Sequence, residues 1–223
     1  ITAPSGGRIL DFGQNLTGHV RLAVRGQAGA VVTLRHAEVL EDGELGTRPL
    51  RRAEATDRAI LSGGDDVFAP TLTQHGFRYV EVDGFPGDDD ALLVAAAARV
   101  VSAGMERAAW FDCSSEPVAR LVENTRWSTI DNFITVPTDC PQRDERLGWT
   151  GDIGVFAPTA LSLYDAAAFL ASWTTDLAAA QTPDGAVPVV IPDVLGGTRL
   201  TCAWGDAVAL VPWANLADRK SVV

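Results

Sequence analysis

The apolar residues of this chain change their period once, near residue 105, and that change restricts the fold to a β unit followed by a helical one. Before that point they alternate in short β-branched runs: His19 to Arg25 (H-V-R-L-A-V-R), Val31 to His36 (V-V-T-L-R-H) and Arg78 to Val82 (R-Y-V-E-V). Alternation sends one set of side chains to a buried face and the other to water, the pattern of half-buried strands. Turn signals at Gly26, Gly29, Asp42-Gly43, Gly63-Gly64 and Asp83-Gly84 separate them, a rhythm of antiparallel strands in a sandwich rather than of βαβ units. Leu92 to Val101 then reads as a closing strand, and the polar stretch Glu41 to Asp57 as a long solvated loop. Aromatic and imidazole residues divide at the same place: all six tryptophans follow residue 105 and all three histidines precede residue 80.

Helical spacing takes over in the second half. Ser114-Ser115-Glu116-Pro117 has the chemistry of a helix start, and Val118, Leu121, Val122, Thr125, Ile130 and Phe133 follow on one stripe, predicting a helix from about Ser115 to Phe133. Asp152 to Leu163 predicts a second, shorter helix. Ala166, Phe169, Leu170, Trp173 and Leu177 predict a third, capped by Asp165 and stopped at Pro183-Asp184-Gly185. Asp206 is placed to cap a fourth over Val208 to Trp213. Trp127 and Trp173 fall on these stripes and are expected in the core. The expected organisation is a β-sandwich domain over 1–104, paired helices over 105–214, and an atypical tail over 215–223 in which Lys220 is the only lysine beside 17 arginines.

Composition removes several functions. With 47% hydrophobic and 21% charged residues the chain can bury a core and is not disordered. A net charge of -11 argues against nucleic acid, whose binding is driven by clustered Lys and Arg. The longest uncharged apolar run, Ala91 to Ala98, is far short of the roughly 20 residues of a membrane helix, and no address is legible. Cys113, Cys140 and Cys202 are odd in number and widely spaced, so neither a disulfide scaffold nor a metal site is indicated, and no cofactor is expected.

Chemistry concentrates in one loop. Between Asp139 and Asp152 the chain packs four carboxylates (Asp139, Asp144, Glu145, Asp152), the guanidiniums of Arg143 and Arg146, and the Trp149 indole, among prolines and glycines that forbid one continuous helix. A mixed-charge stretch such as R-D-E-R is by itself most often a solvated ion-pair surface. Convergent acids beside an aromatic platform are also what sugar cleavage needs: one carboxylic acid protonates the departing oxygen, a second carboxylate activates water or attacks the anomeric carbon, and Trp and Arg meet the sugar's C–H face and hydroxyls. Neighbouring acids would raise the pKa of Glu145 and neighbouring arginines lower it; geometry decides, and the acids are expected to win.

The string Pro137-Thr-Asp-Cys-Pro-Gln-Arg-Asp-Glu-Arg-Leu-Gly-Trp-Thr-Gly-Asp152 resembles the signature of bacterial α-L-rhamnosidases of glycoside hydrolase family 78. Ile9-Leu-Asp-Phe-Gly-Gln-Asn-Leu-Thr-Gly18 and Leu72-Thr-Gln-His-Gly-Phe-Arg-Tyr-Val80 resemble the β-sandwich that precedes the catalytic domain there, so the likeness covers residues 1 to about 214. It implies an antiparallel β-sandwich followed by the first helices of an (α/α)6 barrel, in an inverting hydrolase of terminal α-L-rhamnosyl groups in rhamnose-containing glycosides. By position in the motif, Glu145 matches the general acid, and Asp139, Arg143, Trp149 and Asp152 match residues lining the rhamnose pocket. In Cys202-Ala-Trp-Gly-Asp-Ala207, Trp204 matches a further active-site aromatic; without the match a core role is equally open.

The match is partial. An (α/α)6 barrel needs about a dozen helices, and roughly four are legible here. Exposed helix faces and low stability are the expected consequence. The family's general base lies farther along the barrel; Asp193 and Asp206 are the acids left in the later loops, and nothing recommends either. The competing readings are another six-hairpin glycosidase, and a carbohydrate-binding or vestigial module in which the sandwich does the work. A Ser or Cys hydrolase fits poorly because no histidine occurs in the helical half, and Cys140 is expected to be a buried filler beside Asp139.

Overall fold

The computed structural model describes residues 1–196 and 201–220. The chain forms two compact units, Ile1–Val101 together with Pro141–Glu145, and Ser102–Cys140 together with the chain from Arg146 onward.

In the first unit eight strands form, β1 (Arg8–Arg25), β2 (Val31–Ala37), β3 (Val39–Glu41), β4 (Glu44–Gly46), β5 (Thr56–Ile60), β6 (Asp65–Phe68), β7 (His75–Asp83) and β8 (Ala96–Val100). Every pairing is antiparallel, in the order β5-β2-β7-β1-β6, with β8 also on β1 and β3-β4 as a separate hairpin. The alternation seen in the sequence is the burial pattern: Leu16, Val20, Leu22 and Val24 are buried along β1 while His19, Arg21 and Ala23 are only half-buried. Val32, Leu34, Phe77 and Val80 complete a layer with no exposure, each contributing about 1.5–3 kcal/mol.

Two expectations need correction. Leu92 to Val101 is not one strand: the Asp88 carboxylate caps a helix, accepting from the Ala91 N–H at 2.9 Å, and α1 (Asp89–Ala95) precedes β8. The acid-capped turn outweighs the apolar run. Nor is Glu41 to Asp57 a plain loop. It holds β4, a 3-10 turn over Arg48–Leu50 that buries Leu50, and the start of β5.

A buried polar trio lies inside this unit. His36 is fully buried, its ring stacked on His75 with centroids 4.2 Å apart and planes 27° apart. Its Nδ1 lies 2.9 Å from the Ala55 carbonyl and its Nε2 3.9 Å from Asp57 Oδ2, while His75 Nε2 is 3.0 Å from Asp57 Oδ1. The trio forms a stacked pillar in which one ligand atom from each residue lies within 4.8 Å of the others; a hydrogen bond joins His75 to Asp57, while His36 Nε2 and Asp57 Oδ2 have no hydrogen-bond partner among the described residues. Burial, with His75 alongside, pushes the His36 imidazole down to about 4. Burial of Asp57 opposes its charge, but the His75 hydrogen bond and nearby imidazoles outweigh that and hold it below the usual value.

These directions set a pH dependence. Between pH 6.5 and about 4 the unfolded chain takes a proton that folded His36 refuses, so stability is full above that window and falls as pH drops through it. The Asp57 contribution is lost only at still lower pH. Urea midpoints followed by far-UV circular dichroism are expected to be lower at pH 5 than at pH 7, and His36→Gln is expected to flatten the difference.

The second unit has α2 (Glu116–Asn132), α3 (Thr150–Leu163), α4 (Ala167–Ala180) and α5 (Ala207–Lys220). Its core is Ile153, Ala157, Leu161, Leu170, Trp173, Leu177, Ile191 and Val211. Small residues on α3 bring α5 close: a side chain at Gly154 would meet Ala207 at 3.7 Å. Trp173 is core, as its stripe implies, but Trp127 is only half-buried, under the Arg126 guanidinium at 5.0 Å. Val118 and Leu121 of the α2 stripe are exposed, as are Val155 and Trp213.

Helix ends differ in detail from expectation. The Ser115 carbonyl accepts from Val118 and Ala119 without a side-chain cap, α4 begins at Ala167 with no cap from Asp165, and α5 continues unbroken to Lys220 rather than stopping at Trp213. The Asn215 amide of α5 donates to the Ala167 carbonyl at 3.0 Å, tying the end of the chain to α4. Among the described residues no helix is long and apolar enough to cross a membrane.

Candidate active site

The motif loop follows α2. Thr138 Oγ1 donates to the Asn132 carbonyl at the helix end, and the loop is closed by a reciprocal clasp: Asp139 N–H donates to the Leu147 carbonyl, and Leu147 N–H to Asp139 Oδ1, both at 3.3 Å. Gly148, Trp149 and Thr150 then run against Val189–Ile191, with Ile191 N–H donating to the Gly148 carbonyl at 2.8 Å and Thr150 N–H to the Val189 carbonyl at 2.9 Å. Trp149, half-buried, is the residue before α3. Asp152 therefore falls in the first helical turn, exposed, where a carboxylate also meets the positive end of the helix dipole.

A cleft of about 770 Å³ opens in the helical unit. Asp139, Asp152 and Trp204 line it, together with Asn132, Cys140 and Phe156. The Trp204 indole lies against the bare backbone of Gly151, where an added Cβ would sit 2.7 Å from the ring. Trp204 is 38% exposed, which decides against a core role. Cys140 is half-buried and lines the cleft, so it is not the buried filler expected. The cleft thus offers two carboxylates, an amide and an indole face, a set suited to a small polyol ring with one apolar side.

The other two motif residues belong to the first unit. Arg143 Nη2 donates to Glu145 Oε2 at 2.9 Å and its Nε to the Glu145 carbonyl at 2.8 Å, so one guanidinium grips both the side chain and backbone of the matched acid. Arg51 Nη1, from the end of the 3-10 turn, lies 3.8 Å from the same Oε2. Asn132, Phe156 and Arg51 escaped the sequence reading. Phe156 had a signal, since it stands one helical turn after Asp152 and shares its face; Arg51 had none.

In chain order, antiparallel strands are followed by paired helices, with the acid-rich stretch in the loop between α2 and α3. The profile described as the bacterial alpha-L-rhamnosidase 6 hairpin glycosidase domain matches residues 106–218, and that of the bacterial alpha-L-rhamnosidase concanavalin-like domain matches residues 1–103. The chain belongs to the bacterial α-L-rhamnosidase family. It is 48% identical over 217 residues to an alpha-L-rhamnosidase of Streptomyces avermitilis, covering 96% of this chain and 21% of that relative. Among solved structures, native α-L-rhamnosidase from Aspergillus terreus superposes with a TM-score of 0.92 at 47% identity, over 96% of this chain and 25% of the other. The Streptomyces avermitilis enzyme, solved in complex with L-rhamnose, gives 0.89 at 48% identity, over 94% of this chain and 20% of the other. The chain therefore spans about a fifth to a quarter of the length of these relatives.

Proposed function

We propose that the full-length gene product containing these residues is an inverting α-L-rhamnosidase that removes terminal α-L-rhamnosyl groups from rhamnosides. The observation that carries this reading is the cleft of the helical unit, which gathers Asp139, Asp152 and Trp204 at the flanks of the motif in a chain of this family. Glu145 is the general acid, giving its proton to the glycosidic oxygen as the bond to the anomeric carbon breaks. Asp139 and Asp152 accept from the sugar hydroxyls, Arg143 steadies the acid, and the indoles of Trp204 and Trp149 cover the sugar's C–H face. A second carboxylate outside this chain activates the water. Asp193 and Asp206 are not assigned that role.

Proton NMR of the first product from an aryl α-L-rhamnoside tests the mechanism. The β-anomer appearing first is expected; the α-anomer first would refute inversion, and cleavage of a different glycoside alone would point to another six-hairpin specificity. Asp152→Asn in the same protein is expected to raise KM by about 10- to 100-fold with a smaller change in kcat, since hydrogen bonds to a charged group are worth about 1.5–3 kcal/mol. Steady-state kinetics on the aryl substrate checks it.

A further inference from the structure

Within the first unit two guanidiniums lie near the Glu145 carboxyl, Arg143 at 2.9 Å inside the motif and Arg51 at 3.8 Å outside it. The far one, Arg51, comes from a strap between the 3-10 turn and β5 that carries unusual backbone strain. Arg51 has φ 56° and ψ -102°, and Ala55 has φ 44°. Left-handed backbone at non-glycine residues costs about 1–3 kcal/mol each and persists only where the surroundings over-determine it.

The surroundings here do so. Leu50 is buried, Ala53 N–H donates to the Leu50 carbonyl at 3.0 Å, and the Ala55 carbonyl is met by both the His36 N–H and His36 Nδ1 at 2.9 Å. Asp57, two residues on, is held by His75. The residue after His75 is Gly76, whose bare backbone faces Gln142 of the motif; a Cβ there would sit 3.0 Å from both the Gln142 backbone nitrogen and its Cβ. One buried pillar, His36-Asp57-His75, therefore stands beneath both the strap that bears Arg51 and the strand end against which Gln142 rests.

We propose that Arg51 is a positioning residue for the general acid, holding the Glu145 carboxyl from the sandwich side while the buried trio fixes the strap. This rests on the reading of Glu145 as the acid. A general acid has to present its proton within about 2.6–3.2 Å of the leaving oxygen. A side chain gripped by Arg143 alone, two residues away on the same loop, moves with that loop; a second guanidinium on a separate element removes that freedom. The Arg51 side chain is 55% exposed, so the pair adds little to folding and its effect falls on orientation.

The test compares kcat and KM of Arg51→Ala, Arg51→Lys, Gly76→Ala and Glu145→Gln, in the full-length protein, on an alkyl and a dinitrophenyl α-L-rhamnoside. The first leaving group needs a proton and the second does not. Arg51→Ala is expected to lower kcat about tenfold on the alkyl substrate, a misplacement effect, and to leave it within about twofold on the dinitrophenyl one, with KM unchanged on both. Arg51→Lys restores most of the loss, and Gly76→Ala shows the same leaving-group dependence. Equal losses on both substrates, or an unchanged kcat on the alkyl one, overturn the proposal. If Glu145→Gln itself shows no leaving-group dependence, the acid assignment fails and the positioning role with it. If Glu145→Gln shows the dependence and neither Arg51→Ala nor Gly76→Ala does, the positioning role alone fails.

Discussion

In the full-length protein, the acid role proposed for Glu145 predicts that its replacement with glutamine lowers kcat/KM on an alkyl α-L-rhamnoside by roughly a thousandfold, within the range that a positioned acid supplies. Glutamine keeps the size of the side chain and its ability to meet Arg143, so the loss isolates the proton. On a dinitrophenyl rhamnoside, whose leaving group departs as a stable anion, the same variant should retain activity within about tenfold. Asp144 provides the control. It is the exposed neighbour in the same stretch, and Asp144→Asn should stay within about twofold on both substrates. Uniform loss on both substrates would assign Glu145 to binding or folding instead. Steady-state kinetics on the two substrates, with the thermal midpoint of each variant, separates these outcomes.

The extent to which the molecule was legible beforehand follows from the range of the forces involved. Strand alternation in β1, β2 and β7 and the apolar stripe of α4 are local, repeated signals, and each became the element its period implies. Leu92 to Val101 reads as strand because an apolar run carries no period, while the Asp88 cap that starts α1 is a single hydrogen bond. Glu41 to Asp57 reads as a loop for the opposite reason. Its polar residues hide Leu50, and a buried leucine on a 3-10 turn has too few neighbours in sequence to announce itself. The stripe of α2 was real, yet Val118 and Leu121 remain exposed because amphipathicity states only that a face seeks a partner.

The site divides in the same way. The resemblance singles out Asp139, Asp152 and Trp204, and all three line one cleft; the approach of the Trp204 ring to Gly151 has no sequence signal of its own. Arg51 lies far from Glu145 in the chain, and its approach depends on a strap fixed by His36, Asp57 and His75. The three histidines and the six tryptophans pointed to two halves of different chemistry, but nothing in the sequence said that two of those histidines stack on each other.

A large structural effect is expected from a single methyl group at Gly148. The sequence shows this glycine only as one letter of the motif, but its backbone forms a short ladder with Val189–Ile191, all three of them buried. A Cβ at position 148 would lie 2.2 Å from the Ile191 carbonyl oxygen and 3.3 Å from its carbon, so backbone has to move rather than a side-chain tip. Gly148→Ala should therefore cost about 3 kcal/mol, at the upper end of overpacking penalties. Gly64→Ala, where the nearest atom to the new Cβ is Ser62 Oγ at 3.5 Å, should change stability by no more than about 0.5 kcal/mol. Urea unfolding followed by tryptophan fluorescence reads the difference in the right place, since all six tryptophans follow residue 105. The ladder also immediately precedes α3, so on the proposed function the folded fraction of Gly148→Ala in the full-length protein should bind rhamnose more weakly through displaced Trp149 and Asp152. A variant within about 1 kcal/mol of the parent would mean that Val189–Ile191 yields easily and that the motif does not depend on this ladder for its position.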